Sequence, residues 1–202
     1  LQYAVADKLV FSKLKARLGG RMRFMISGSA KLSRQVQEWF YSADITIVEG
    51  SGATETAAIT FLNLPDRPRF GTVGPVIPGL QTKLDDDGEV LVSGPTIARG
   101  YHHLPEETRE AFDDGWYRTG DIGVLDSDGY LTITDRKKDL FKTSNGKFVA
   151  PQKIENAVMA NIPYVSQVVA IGQDRKFVSA LITLDEPQLR KWAERRGKEN
   201  MS

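Results

Sequence analysis

The middle of this chain is punctuated by aspartate-rich turns that end in glycine: Asp85-Asp86-Asp87-Gly88, Asp113-Asp114-Gly115 and Asp126-Ser127-Asp128-Gly129. Glycine accepts positive φ without steric cost and aspartate bonds neighbouring amides, so such turns between short alternating runs close antiparallel hairpins. The runs at 80–84, 89–92, 122–125 and 130–134 are therefore read as strands. From Gly71 onward they predict a small antiparallel barrel or sheet, interrupted by one helix near 105–112.

The first 60 residues have a different texture. Leu9, Val10, Leu14 and Leu18 recur at helical spacing and stop at Gly19-Gly20, an amphipathic helix with a glycine cap. A strand is expected at 22–26, then a helix capped by Ser33 that runs to Tyr41 and buries Val36, Trp39 and Phe40. The β-branched run at 45–48 reads as a buried parallel strand. After Asp135 the pattern gives a strand at 140–143, an Asn145-Gly146 hairpin turn of type I′, a helix at 151–160, strands at 165–172 and 177–184, and an amphipathic helix from Pro187. That βαββα order looks like a small domain of its own. The fold class is thus α/β and α+β: the end of an α/β subdomain (1–70), a β-rich subdomain (71–136) and a small α+β domain (137–202). The boundary is expected at Arg136-Lys137-Lys138-Asp139.

A chain of 202 residues buries roughly 70% of its unfolded surface, so a core needs no staples. Its 27 basic and 26 acidic residues remove the electrostatic argument for nucleic acid as the main partner. The absence of cysteine excludes disulfides, thiolate zinc sites and a cysteine nucleophile, and fits a reducing cytosol. No run is apolar enough to span a bilayer. The start, Leu1-Gln2-Tyr3, has neither an initiating methionine nor a signal-peptide pattern, which reads as a piece of a longer chain.

Three segments carry the chemistry. Gly50-Ser51-Gly52-Ala53-Thr54-Glu55-Thr56 follows the buried strand. Trp116-Tyr117-Arg118-Thr119-Gly120-Asp121 follows the Gly115 turn, and Asp135-Arg136-Lys137-Lys138-Asp139 comes fourteen residues after Asp121. A carboxylate accepts from neutral hydroxyls and a guanidinium meets an anion, and a nucleotide offers both on its ribose and phosphate. In this order the segments resemble the adenylate-forming (acyl-activating) enzymes, most closely the long-chain fatty acyl-CoA synthetases. The resemblance runs from Met22 to about Leu184.

That resemblance implies a role for each matching residue. Glu55 supplies an oxygen ligand to Mg²⁺ on the ATP phosphates and Thr54 a hydroxyl to a phosphate oxygen. Asp121 accepts both ribose hydroxyls, and Arg136 contacts ribose and phosphate. Thr54, Glu55 and Arg136 are the catalytic set. Gly28-Ser29-Ala30 and Glu49-Gly50-Ser51-Gly52 line the nucleotide pocket. Lys138 is the hinge of a mobile C-terminal domain, and Lys142 and Gly146 lie in the segment that forms the thioester with coenzyme A. Ser51 departs from the family, which usually has an aromatic residue there to stack on adenine, so adenine must be held more weakly or by another residue. The family's phosphate loop and its lysine are expected upstream of Leu1, and its adenylation lysine beyond Ser202. On its own the chain is then expected to be inactive.

Competing motifs fail. Gly50-x-Gly52 lacks the third glycine of a dinucleotide fingerprint, and the Gly74 to Gly79 spacing continues Leu80-Gln81 rather than Lys-Ser. His102 and His103 are adjacent and expected to point apart, which rules out a shared metal; with no other histidine, no Ser-His-Asp triad can form. The expected function is a cytoplasmic ligase that uses ATP, Mg²⁺ and coenzyme A to activate a fatty acid as acyl-adenylate and pass it to the CoA thiol. Contact of the whole protein with a membrane surface stays open, as does its oligomeric state. A ligase loading a carrier protein, and a nucleotide-binding module without turnover, share the same motifs.

Overall fold

The computed structural model describes residues 2–198. The chain divides into two compact units, Leu1–Ile133 and Thr134–Ser202. In the first, α1 (Gln2–Ala6) and α2 (Ser12–Arg17) are joined by a π-helical turn at Asp7–Phe11. Gly19 and Gly20 end this segment at φ +87° and +67°, with the Gly20 N–H bonded to the Lys15 carbonyl at 2.9 Å. The expected stripe is only half realised, because Leu14 and Leu18 are partly covered while Leu9 and Val10 are exposed. The wider π turn rotates the earlier pair off the later pair's face.

Strand β1 (Met25–Ser27) lies parallel to β2 (Ile47–Ala53), and α3 (Arg34–Ser42) connects them. Pairing begins where Met25 meets Ile47, so the first strand starts three residues later than its apolar run suggested. The expectation for α3 fails in one respect. Val36 and Trp39 are exposed, and the fully buried residue is Gln37, whose Oε1 accepts from the Gly71 N–H at 3.1 Å. A backbone donor beneath the helix needed an acceptor more than the site needed an indole. Ser33 stands at the N-cap without a side-chain cap bond. Strand β3 (Ala58–Leu62) folds back antiparallel on β2, giving the order β1-β2-β3.

The predicted hairpins form a curled five-stranded antiparallel sheet: β4 (Gln81–Leu84), β5 (Glu89–Ser93), β6 (Phe112–Asp113), β7 (Trp116–Leu125) and β8 (Leu131–Arg136). Helix α4 (Pro105–Ala111) precedes β6. The Asp114-Gly115 turn has φ +45° and +78°, the type I′ geometry that matches strand twist. The Asp85 and Asp126 turns place only the closing glycine at positive φ, with Gly88 and Gly129 N–H bonded back to the Asp85 and Asp126 carbonyls. These are type I turns followed by a bulge. Phe61, Leu80, Val90, Val92 and Leu131 form one buried cluster, so β3 and the curled sheet share a core. Outside that core, Arg69 pairs with Asp126 and Asp128 and covers the Tyr130 ring, anchoring the loop after β3 to the last hairpin.

In the second unit, β9 (Phe141–Lys142) and β10 (Phe148–Val149) make a hairpin. Its turn is type I with Gly146 at φ +83°, not the expected type I′, because Asn145 keeps a negative φ and bonds the Thr143 hydroxyl instead. Helix α5 (Pro151–Asn161) and the antiparallel pair β11 (Val165–Ile171) and β12 (Ser179–Leu184) follow. Helix α6 (Glu186–Glu194) is capped by Asp185, which accepts from the Gln188 N–H. Among the described residues, no helix is long and apolar enough to cross a membrane.

Sterics single out Gly52. A methyl group there would lie 1.6 Å from the Ala58 carbonyl oxygen across the β2–β3 pair. Gly52→Ala should cost about 3 kcal/mol, at the upper end for overpacking. Urea denaturation checks this, with Gly20→Ala, in open space, as the milder comparison.

Candidate active site

The predicted residues of the first unit lie on three segments: the end of β1 and the turn after it, β2 with the turn into β3, and β7. Gly28-Ser29-Ala30 leaves β1 with Ser29 at φ +65°, and a methyl on Gly28 would meet the Gly50 carbonyl at only 3.4 Å. Gly28 is thus not sterically obligatory. Gly50 is tighter, since its methyl would meet the Phe61 carbonyl at 3.2 Å and Leu62 Cδ1 at 3.3 Å. Glu49 is buried, and its Oε1 accepts from the Leu32 N–H at 2.8 Å, tying the loop after β1 to β2. Burial pushes the Glu49 carboxyl above the usual range, against the opposing pull of the Leu32 N–H, the Lys31 charge and the Gln37 amide.

A single 3₁₀ turn, Thr54–Thr56, links β2 to β3. The Thr56 hydroxyl sits beneath it, accepting from the Ala53 N–H at 3.0 Å and from the Thr60 hydroxyl at 2.8 Å. Thr54 is therefore left on the surface and Glu55 half-buried. Glu55 is clasped twice by one neighbouring segment. Its carbonyl accepts from the Ala98 N–H at 2.7 Å, and its Oε1 accepts from the Tyr101 hydroxyl at 2.7 Å.

Asp121, expected just past a turn, lies inside the ten-residue β7, at a bulge where Arg118 opposes Leu91 and Ile122 opposes Glu89. Gly120 takes φ +73° there. The buried Glu89 carboxylate holds the bulge, accepting from the Gly120 N–H at 3.1 Å and from Arg118 Nη1 at 2.8 Å; Arg118 Nη2 reaches Asp85 at 2.8 Å. The Thr119 hydroxyl donates to the Val90 carbonyl and accepts from the Asp121 N–H. Asp85, Asp87 and Glu89 come close enough together to hold a cation, but Arg118 already supplies a charge to two of them.

Tyr117 precedes Arg118 on β7. It is buried, and its phenol is raised well above the ordinary value by burial first, then by the charge of Glu55, by Tyr101 and by Asp121. Burial and Glu55 push Tyr101 up to about 12. Glu55 thus stands against the Tyr101 phenol, while Glu55 and Asp121 both act on Tyr117. Sequence reasoning did not single out Tyr101, Tyr117, Glu89 and Arg118, which surround the predicted residues. Tyr117 and Arg118 lay within a quoted motif without a role, and nothing near Gly100-Tyr101 signalled one.

The remaining predicted residues belong to the second unit. Arg136 is exposed at the end of β8; Lys138 is exposed in the turn beyond it, where the Asp139 N–H bonds the Arg136 carbonyl at 3.0 Å. Asp135, just before Arg136, is buried, with Oδ1 accepting from the Arg136 N–H and its carboxyl raised by burial. Lys142 lies 5.4 Å over the Phe148 ring, and Gly146 closes the hairpin beside it. In the first unit, the two histidines do not point apart as expected. The His102 and His103 rings approach to 3.8 Å because His103 has φ +55°, a turn rather than the regular backbone that would splay them.

Against this geometry, the family model for the AMP-binding enzyme matches residues 2–102, and that for the AMP-binding enzyme C-terminal domain matches residues 138–199. The chain belongs to the AMP-binding enzyme family. It is 42% identical to the long-chain-fatty-acid–CoA ligase FadD15 of Mycobacterium bovis, over 98% of this chain and 33% of that protein. It is 40% identical to human long-chain-fatty-acid–CoA ligase 1, over 95% of this chain and 29% of that one. The chain thus spans about a third of the length of these curated relatives. Among solved structures, ATP-bound MatB from Rhodopseudomonas palustris superposes with a TM-score of 0.72 at 32% identity, covering 88% of this chain and 39% of MatB.

The buried Glu49 gives a pH test. A carboxyl whose folded pKa is raised binds more protons folded than unfolded, so its contribution to stability falls as pH rises from the usual carboxylate value through the raised one. Glu49→Gln keeps an acceptor for Leu32 and removes the titration. Urea midpoints from pH 4 to pH 8 should show the variant gaining on the parent as pH rises across that window. Parallel curves would contradict the assignment.

Proposed function

We propose that this chain carries the ribose-facing and cation-facing residues of an AMP-forming acid–thiol ligase, which activates a long-chain fatty acid with ATP and transfers the acyl group to coenzyme A. The observation that carries the reading is the placement of Glu55, held by the Tyr101 hydroxyl in the turn after β2, and of Asp121, set beside the Gly120 bulge of β7. Asp121 offers two acceptor oxygens to a pair of ribose hydroxyls. Glu55 and the surface hydroxyl of Thr54 form a hard-oxygen set suited to Mg²⁺ and a phosphate oxygen, and a divalent ion held there would offset phosphate charge. The glycine-lined edges of β1 and β2 let a flat base approach the backbone.

In the first half-reaction the fatty-acid carboxylate oxygen bonds to the α-phosphorus and pyrophosphate leaves. Two anions must meet, so orientation and positive charge are the protein's main contributions. Arg136 is the guanidinium assigned to ribose and phosphate. In the second half-reaction the CoA sulfur bonds to the acyl carbon and AMP leaves. The second unit turns about Lys138 between the two steps, bringing Lys142 and Gly146 to the thiol. On this reading the reaction takes place in the cytoplasm. The identity of the long-chain relatives, at about 40% across almost the whole chain, favours a fatty acid as the substrate.

In the protein expressed from its complete coding sequence, Asp121→Ala should weaken AMP and ATP binding at least tenfold, about 1.4 kcal/mol, because two hydroxyls lose a charged acceptor. Calorimetry showing unchanged affinity in a folded variant would sink the ribose assignment. Lys138→Pro should separate the half-reactions, since proline fixes φ near −65° and removes a donor. Fatty-acid-dependent pyrophosphate release is expected to persist while acyl-CoA formation is lost. Equal loss of both would show that Lys138 is not a hinge.

A further inference from the structure

Glu55 is the residue whose surroundings are most closely specified, and the proposed function does not use what specifies them. The segment from Ala98 to Tyr101 meets it at backbone and side chain, through the Ala98 N–H to the Glu55 carbonyl and the Tyr101 hydroxyl to Oε1, each at 2.7 Å. Tyr101 is itself fixed. Its N–H donates to the Thr108 hydroxyl of α4 at 2.9 Å, and that hydroxyl donates to the Leu104 carbonyl at 2.7 Å. The preceding Gly100, at φ +145°, lies so near Thr108 that a methyl would meet its Cγ2 at 2.4 Å. The Tyr101 ring packs edge-on against Phe112 at 5.6 Å, which in turn lies 5.2 Å from the Tyr117 ring.

Packing of this kind holds a hydroxyl in one place, and a phenol pushed up to about 12 stays a donor throughout the neutral range. A glutamate carboxylate on the surface turns freely about its last torsions. One donated hydrogen bond fixes its plane, while a carboxylate with two oxygens and about four lone-pair sites keeps acceptor capacity for another partner. We propose that Tyr101 is a positioning residue: its hydroxyl orients the Glu55 carboxylate so that it meets the divalent cation of a metal–nucleotide complex. This rests on the reading of Glu55 given above. Tyr101 touches neither nucleotide nor metal in this role, and acts only through Glu55. The role also gives a purpose to α4, whose Thr108 holds Tyr101 from behind.

The test is Tyr101→Phe in the protein expressed from its complete coding sequence, a change that keeps the ring and its contact with Phe112 and removes one oxygen. Calorimetry gives three affinities for parent and variant: AMP without metal, ATP with EDTA, and ATP with saturating Mg²⁺. The expected result is unchanged AMP and metal-free ATP binding, with the gain in ATP affinity conferred by Mg²⁺ reduced roughly tenfold, the size of one lost hydrogen bond to a charged group. Glu55→Gln should reduce the same gain. A variant with the parent's full Mg²⁺ gain, where Glu55→Gln loses it, overturns the positioning role and leaves the proposed function standing. Parallel loss of AMP and Mg²⁺-ATP binding in Tyr101→Phe also overturns it, because Tyr101 would then be a general support of the site. Glu55→Gln without effect on the Mg²⁺ gain overturns both the positioning role and the cation assignment on which it rests.

Discussion

The approach of β2 to β3 at Gly52 sets the geometry on which the rest of the first unit depends. With the Ala58 carbonyl lying where a side chain would start, the strands can be joined only by a very short turn. Ala57 and Ala58 take φ of +56° and +95° to make it, conformations that cost a residue with a Cβ about 1 kcal/mol or more each. Such strain persists where neighbours over-determine it. Here the Thr60 hydroxyl donates to the Thr56 hydroxyl, which bonds the turn backbone inside the fold, and Phe61 is sunk in the shared core. The product is a rigid corner that keeps Thr54 at the surface and puts Glu55 within reach of Tyr101.

The curled sheet solves a second problem of aim. A strand alternates its side chains, so Asp121 would face the way regular pairing dictates unless the register were broken. The bulge at Gly120 breaks it. The Gly120 N–H is satisfied by Glu89, whose charge is satisfied by Arg118, whose other nitrogen is satisfied by Asp85. That relay explains why a glutamate sits buried on β5 beside apolar neighbours. It also pairs two of the three carboxylates clustered at the Asp85 turn with one guanidinium.

Much of this is legible in the residue order, and where it is not the reason is physical. The Asp-Gly turns announce the hairpins because their chemistry is local, and α3 and α5 fall within a residue of the helices expected, whereas β7 starts six residues before its expected strand and β2 ends five residues after its own. The β-branched run at Ile45–Val48 announces a buried strand, and pairing with Met25–Ser27 makes it parallel. Long-range satisfaction is invisible. Gln37 is buried for a donor 34 positions away at Gly71, Glu89 for one 31 positions away at Gly120, and Tyr101 reaches 46 positions back to Glu55. No spacing rule encodes such partners. The first helix misleads for the opposite reason: its period reads as uniform, whereas the π turn at Asp7–Phe11 shifts phase midway.

The electrostatics of the corner narrow what can bind there. Burial raises the Tyr117 phenol most, and the charges of Glu55 and Asp121 raise it further. Like charges repel, and Glu55 is met by hydrogen bonds from Ala98 and Tyr101. A ligand that is anionic throughout would meet those two charges uncompensated. A ligand carrying neutral hydroxyls for Asp121 and its own bound cation for Glu55 relieves both. A metal-bound ribonucleotide has that distribution of charge, whereas a free fatty-acid carboxylate does not.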